Sequence, residues 1–85
     1  MPIISRFLGI VITMYWSDHA PPHFHAKYGE YEIIVTIEGG VVEGKFPRRA
    51  LQLVLEWLDL HQDELIENWQ RCQNRQSLNP VQPLE

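Results

Sequence analysis

Eighty-five residues, 45% hydrophobic and 21% charged, suffice for one small domain and are too apolar for a disordered chain. A net charge of −4 at pH 7 excludes a general attraction to nucleic acid or anionic membrane, leaving Lys45, Arg48 and Arg49 as the only obvious local basic face. Cys72 is the lone cysteine, so no internal disulfide forms, and no apolar run reaches the roughly 18–20 residues of a membrane span. A cytoplasmic protein without a membrane partner is the expectation.

Ile3 to Phe7 and Ile10 to Trp16 are rich in β-branched and aromatic residues and predict two strands joined by a turn or bulge at Leu8-Gly9. In the second, Ile10, Ile12, Met14 and Trp16 share one face, and Val11, Thr13 and Tyr15 the other. His23 to Tyr28 and Tyr31 to Ile37 predict the next pair. The Gly29-Glu30 spacer suits a tight hairpin with Gly29 at the first position of a type II′ turn. Glu38-Gly39-Gly40 then leads into a short strand from Val41 to about Lys45. Every connection is too short for a parallel crossover, so the sheet is an antiparallel meander.

Pro47 opens a helical regime. Ala50, Leu51, Val54, Leu55 and Leu58 form the apolar stripe, while Leu53, Trp57 and Leu60 fall off it. A helix apolar on more than one side implies a second covered surface, so Leu53, Trp57 and Leu60 are the candidate partner-binding residues. A second helix is expected from about Gln62 to Arg75, acidic at its start (Asp63, Glu64), with Leu65, Ile66, Trp69 and Cys72 turned inward. Pattern alone leaves open whether Leu60-His61-Gln62 breaks the helix or bends it. The expected architecture is an α+β domain over residues 1–76, four to five strands followed by two helices packed on the sheet. Residues 77–85, with Pro80 and Pro83, form an irregular tail.

Three of the four histidines lie in the run Asp18-His19-Ala20-Pro21-Pro22-His23-Phe24-His25-Ala26. On a strand, His23 and His25 project to the same side with Cα atoms about 6.6–6.8 Å apart, while Phe24 and Ala26 face the core. Two such imidazoles converge well on Zn²⁺, Fe²⁺ or Ni²⁺, with His19 or Asp18 on the preceding loop as third ligand. The run equally suits metal-free acid–base chemistry of a ribonuclease kind, with Asp18 orienting an imidazole and His19, His23 and His25 as the titrating groups. Without either, His-x-His is an ordinary polar strand face. No glycine-rich phosphate loop, nucleophile elbow or dinucleotide fingerprint is present.

Several segments carry a likeness: Ile4-Ser5-Arg6-Phe7 with Gly9-Ile10-Val11-Ile12, Asp18-His19, Pro21-Pro22-His23-Phe24-His25-Ala26, Tyr28-Gly29, Arg49-Ala50-Leu51, Glu56-Trp57 and Glu67-Asn68-Trp69. Together they resemble the small prokaryotic proteins of domain-of-unknown-function family 4160, and the proline–histidine run is the most specific part. The resemblance implies a short cytoplasmic protein often encoded beside a family 2442 protein, an arrangement like a toxin–antitoxin pair. The leading expectation is therefore a non-enzymatic interaction module that binds its neighbour's product or a homo-oligomeric copy of itself. The alternative is a metal-dependent or histidine-based site, RNase-like in its chemistry.

Overall fold

The computed structural model describes residues 3–16 and 18–84; the outermost bounds of the expected domain and tail, residues 1 and 85, lie outside it. Five strands, β1 (Ile3–Phe7), β2 (Ile10–Thr13), β3 (His23–Tyr28), β4 (Tyr31–Thr36) and β5 (Val42–Lys45), precede one helix, α1 (Arg48–Gln73). The sheet order is β1-β2-β3-β4-β5, and every pair is antiparallel. The α+β class and the meander stand as the hairpin spacings predict. At the β1–β2 turn both Leu8 (φ 52) and Gly9 (φ 83) take the left-handed conformation, the pattern of a two-residue type I′ turn. At the β3–β4 turn only Gly29 does (φ 58), in keeping with the expected type II′ turn.

One face of the sheet carries the core. Ile10, Ile12 and Met14, then Phe24 and Ala26, then Ile33, Val35 and Ile37 are all at most 1% exposed, the alternation that one covered face imposes. Trp16 leaves that face because β2 ends at Thr13, and it is 52% exposed.

The two expected helices are one. Residues 48–73 form a single element kinked at His61, whose φ of −127° and ψ of 24° are not helical. The kink falls where the apolar stripe is interrupted. His61 Nδ1 lies 2.6 Å from Glu64 Oε1, three residues on, a side-chain contact that spans the kink. Gln62 Nε2 donates to the Ile37 carbonyl at 2.7 Å and tethers the bend to the end of β4.

The buried stripe is also rotated from its expected line. It runs Ala50, Val54, Trp57, Leu58, Leu65, Asn68, Trp69 and Cys72, leaving Leu51, Leu53 and Leu55 half-buried and Leu60 66% exposed. Trp57 was expected on a partner surface and is instead at the centre of the core. Its ring lies 5.4 Å from Phe7 and 5.7 Å from Phe24, and its indole N–H donates to the Gln82 carbonyl at 2.9 Å. An indole with the largest apolar area on the helix gains most by burial, provided its N–H finds an acceptor.

That acceptor lies on the tail. Residues 76–84 have no regular structure, as expected, yet they dock. The Val81 N–H bonds to the Ile4 carbonyl at 2.8 Å, and Asn68 grips Asn79 through two 2.9 Å bonds, Nδ2 to the carbonyl and N–H to Oδ1. Val81 is 4% exposed, and Leu78 and Leu84 pack on the core. No helix among the described residues is long and apolar enough to cross a membrane.

Candidate metal centre

His23 and His25 project from the face of β3 opposite the core, as period-two geometry requires, with Phe24 and Ala26 fully buried on the other side. The register places His25 between Thr13 of β2 and Ile34 of β4, and His23 opposite Thr36. Tyr15 meets the His25 ring edge-on at 4.5 Å, and Trp69, from the second half of the helix, lies 5.1 Å from the His23 ring. The two imidazoles are thus held between aromatic walls that limit their rotation.

Asp18 completes the group. Its Oδ2 lies 2.9 Å from His23 Nε2 and 3.5 Å from His25 Nε2, while Oδ1 accepts the His19 backbone N–H at 2.9 Å. Gln73 Nε2, at the end of the helix, donates to the Asp18 carbonyl at 3.1 Å, so a residue 55 positions away pins the loop. Burial pulls the Asp18 carboxyl upward in pKa. The His19 N–H, the hydrogen bond and charge of His23 and the bond to His25 outweigh it, and the pKa lies below the ordinary 3.8.

One ligand atom each from Asp18, His23 and His25 lie within 4.8 Å of one another. His19, expected among the metal and catalytic residues, is not part of this set. Its side chain is 88% exposed, with Nδ1 3.1 Å from Asp18 Oδ1 and its ring 5.8 Å from that of His23. Of the two loop residues, the one tied down by the helix end is Asp18. The Asp18–His23–His25 group opens into a cavity of about 230 Å³ that His19 also lines, with Pro21, Ile34, Thr36, Val41 and Glu43 as its other walls.

The outer hydrogen bonds of the imidazoles decide what the group can do. His23 Nδ1 is 2.8 Å from the Pro21 carbonyl, which only accepts, so Nδ1 carries the hydrogen. Nε2 then faces a carboxylate oxygen at 2.9 Å, and a bare lone pair there would be repelled. The contact becomes attractive with a proton on Nε2 or with a cation between the two atoms. At His25, Nε2 likewise faces Asp18, at 3.5 Å, but the buried Nδ1 has no hydrogen-bond partner, with Glu32 Oε2 standing 3.4 Å away.

The other expected site residues are scattered. Lys45 ends β5, and Arg48 and Arg49 start the helix; all three are exposed. Of the expected partner surface, Leu60 is exposed, Leu53 half-buried and Trp57 in the core. His61 stays outside the site, against Trp57 and Glu64. Sequence reasoning missed Trp69 and Gln73 as supports of the site, since only the folded helix brings them there.

Neither a curated protein nor a solved structure matches the chain. A family model described as Domain of unknown function (DUF4160) matches residues 9–70, a span that holds Asp18, both strand histidines and Trp69. With that match over most of its length, the chain belongs to the DUF4160 family.

Proposed function

We propose that this domain binds one divalent transition-metal ion through Asp18, His23 and His25. The supporting observation is that His23 spends Nδ1–H on the Pro21 carbonyl while aiming Nε2 at the Asp18 carboxylate. Metal-ligating histidines characteristically donate the far ring N–H to a carbonyl or carboxylate, which fixes the tautomer and aims the other nitrogen at the ion. Tetrahedral coordination at 2.0–2.1 Å places ligand atoms roughly 3.3 Å apart. The 2.9 and 3.5 Å separations from Asp18 bracket that value, and all three ligand atoms lie within 4.8 Å of one another.

Two imidazoles and one carboxylate suit Zn²⁺, Fe²⁺ or Ni²⁺, and the pattern is that of open sites rather than closed structural ones. An ion held there would be a Lewis acid facing the cavity, able to polarise a bound water or an anionic oxygen. Trp57, the anchor of the interaction surface expected from the sequence, is buried, and this favours the histidine site as the functional reading.

The test uses untagged protein and calorimetric titration with Zn²⁺, Fe²⁺ and Ni²⁺ under anaerobic conditions. Near one ion per chain is expected, abolished in Asp18→Asn and in His25→Gln while both variants stay folded without metal. A ligand at a hundred times its Kd adds about 2.7 kcal/mol of stability. For a chain of this size that raises Tm by roughly 10–20 °C. Folded wild-type protein that takes up no ion at micromolar concentrations would show the metal reading to be wrong.

A further inference from the structure

The helix reaches the sheet face that carries the histidines at its end, through Trp69 and Gln73, and three exposed cations stand in a row across the strands on that face. The register links Arg6, Val11, Lys27, Glu32 and Lys45 across all five strands, and Lys27 follows His25 by two residues on the same face of β3. Arg6, Lys27 and Lys45 are exposed, and no carboxylate among the described residues lies within 4.0 Å of any of them. Glu32 sits between the two lysines, yet its carboxylate is turned toward His25 Nδ1 at 3.4 Å.

We propose that this row binds a single-stranded nucleic acid and lays one of its phosphates beside the Asp18–His23–His25 ion, which makes the substrate class of the proposed metal site a phosphodiester strand; this second step rests on the metal reading. The length of the row selects the ligand. Strands lie about 4.8 Å apart, so Arg6 on β1 and Lys45 on β5 are separated by roughly 19 Å, with Lys27 midway. A single phosphate reaches one of these groups, whereas an extended polyanion reaches all three. Tyr15, half-buried with its ring 4.5 Å from that of His25, supplies an aromatic surface of the kind on which unpaired bases stack. Asp18 and Glu43 make the cavity acidic, so the phosphate approaches it only with the ion in place, while the row holds the strand on either side.

The experiment measures the fluorescence anisotropy of a labelled single-stranded RNA of about fifteen nucleotides, titrated with metal-loaded protein between 50 and 200 mM KCl. Three phosphate contacts give a slope of log K against log salt near −2, or roughly an eighteenfold loss of affinity over that range. Arg6→Gln, Lys27→Gln, Lys45→Gln together should remove the salt-dependent binding, and Lys27→Gln alone should flatten the slope by about 0.7. Calorimetry should find metal uptake unchanged in the triple variant, because none of the three is a ligand. Absence of RNA binding at 50 mM KCl, wild-type affinity in the triple variant, or equal binding of polyglutamate would each overturn the inference and leave the metal site standing. RNA held by the row in protein that takes up no ion would retain the strand-binding face and overturn the step that places a phosphate on the metal.

Discussion

Replacing Asn68 with Ala should unfasten the tail. Asn68 is 1% exposed, and its amide closes a two-point clamp on the backbone of Asn79, each bond 2.9 Å long. Each such bond has a net worth of about 0.5–1.5 kcal/mol. A part-buried N–H or carbonyl left without a partner costs about 1–3 kcal/mol, so two lost bonds with partial rescue by water come to about 3 kcal/mol. A chain of this length has a total stability of roughly 4–13 kcal/mol, so the loss is a large share. With a urea m-value of about 1 kcal/mol/M, the midpoint should fall by about 3 M. Hydrogen exchange gives a local readout: the Val81 amide, bonded to Ile4 in the wild type, should lose protection before the strand amides do. A midpoint shift below about 0.5 M, or Val81 protection equal to the wild type, would refute the claim that this clamp holds the tail.

Two further outcomes are expected. Gly44 has φ +108°, and a Cβ there would lie 2.6 Å from the Glu32 carbonyl oxygen. Gly44→Ala should thus cost about 2–4 kcal/mol and lower Tm, since both the backbone angle and the β4–β5 contact resist it; an unchanged Tm would show that β5 repositions freely. Cys72 is fully buried, and burial together with the nearby Asp18 charge raises its thiol pKa above 9.0. A raised pKa keeps the thiol protonated at pH 8, so a disulfide reagent should label native protein far more slowly than urea-unfolded protein. Fast labelling of the native state would contradict the packing of the helix end.

The strands were legible to within a few residues because two-residue hairpins and a single covered face leave little freedom of register. The convergence of His23 and His25 was legible for the same reason, since alternation on a strand is a local property. The third ligand was not. The sequence offers Asp18 and His19 side by side, and it is the Asp18 carboxylate that stands between the strand histidines, its backbone held by Gln73, 55 residues away. Trp57 shows the converse limit. Its place off the ideal stripe suggested an outer surface, but the helix rolls to bury the indole against Phe7 and Phe24. The tail was read from its prolines as irregular, which it is. Its docking depends on a clamp residue in Glu67-Asn68-Trp69, a stretch whose middle position looks like a solvated polar residue until the fold closes. In that stretch Glu67 accepts from Arg71 and from Asn79 Nδ2, and Trp69 lies against His23, so all three neighbours link the helix to something else.

The bond from Val81 to Ile4 also bears on how copies of this chain meet. An open sheet invites growth at both flanks, because each outer strand presents unused backbone groups to any passing strand. Here the β1 flank already receives a bond from the chain's own tail. The β5 flank is four residues long, interrupted by a left-handed glycine and ended by a lysine. Such a flank is a poor template for ladder extension. Any second molecule is steered toward the faces of the sheet, and the meander is protected from the edge-to-edge stacking that turns small β domains into fibres.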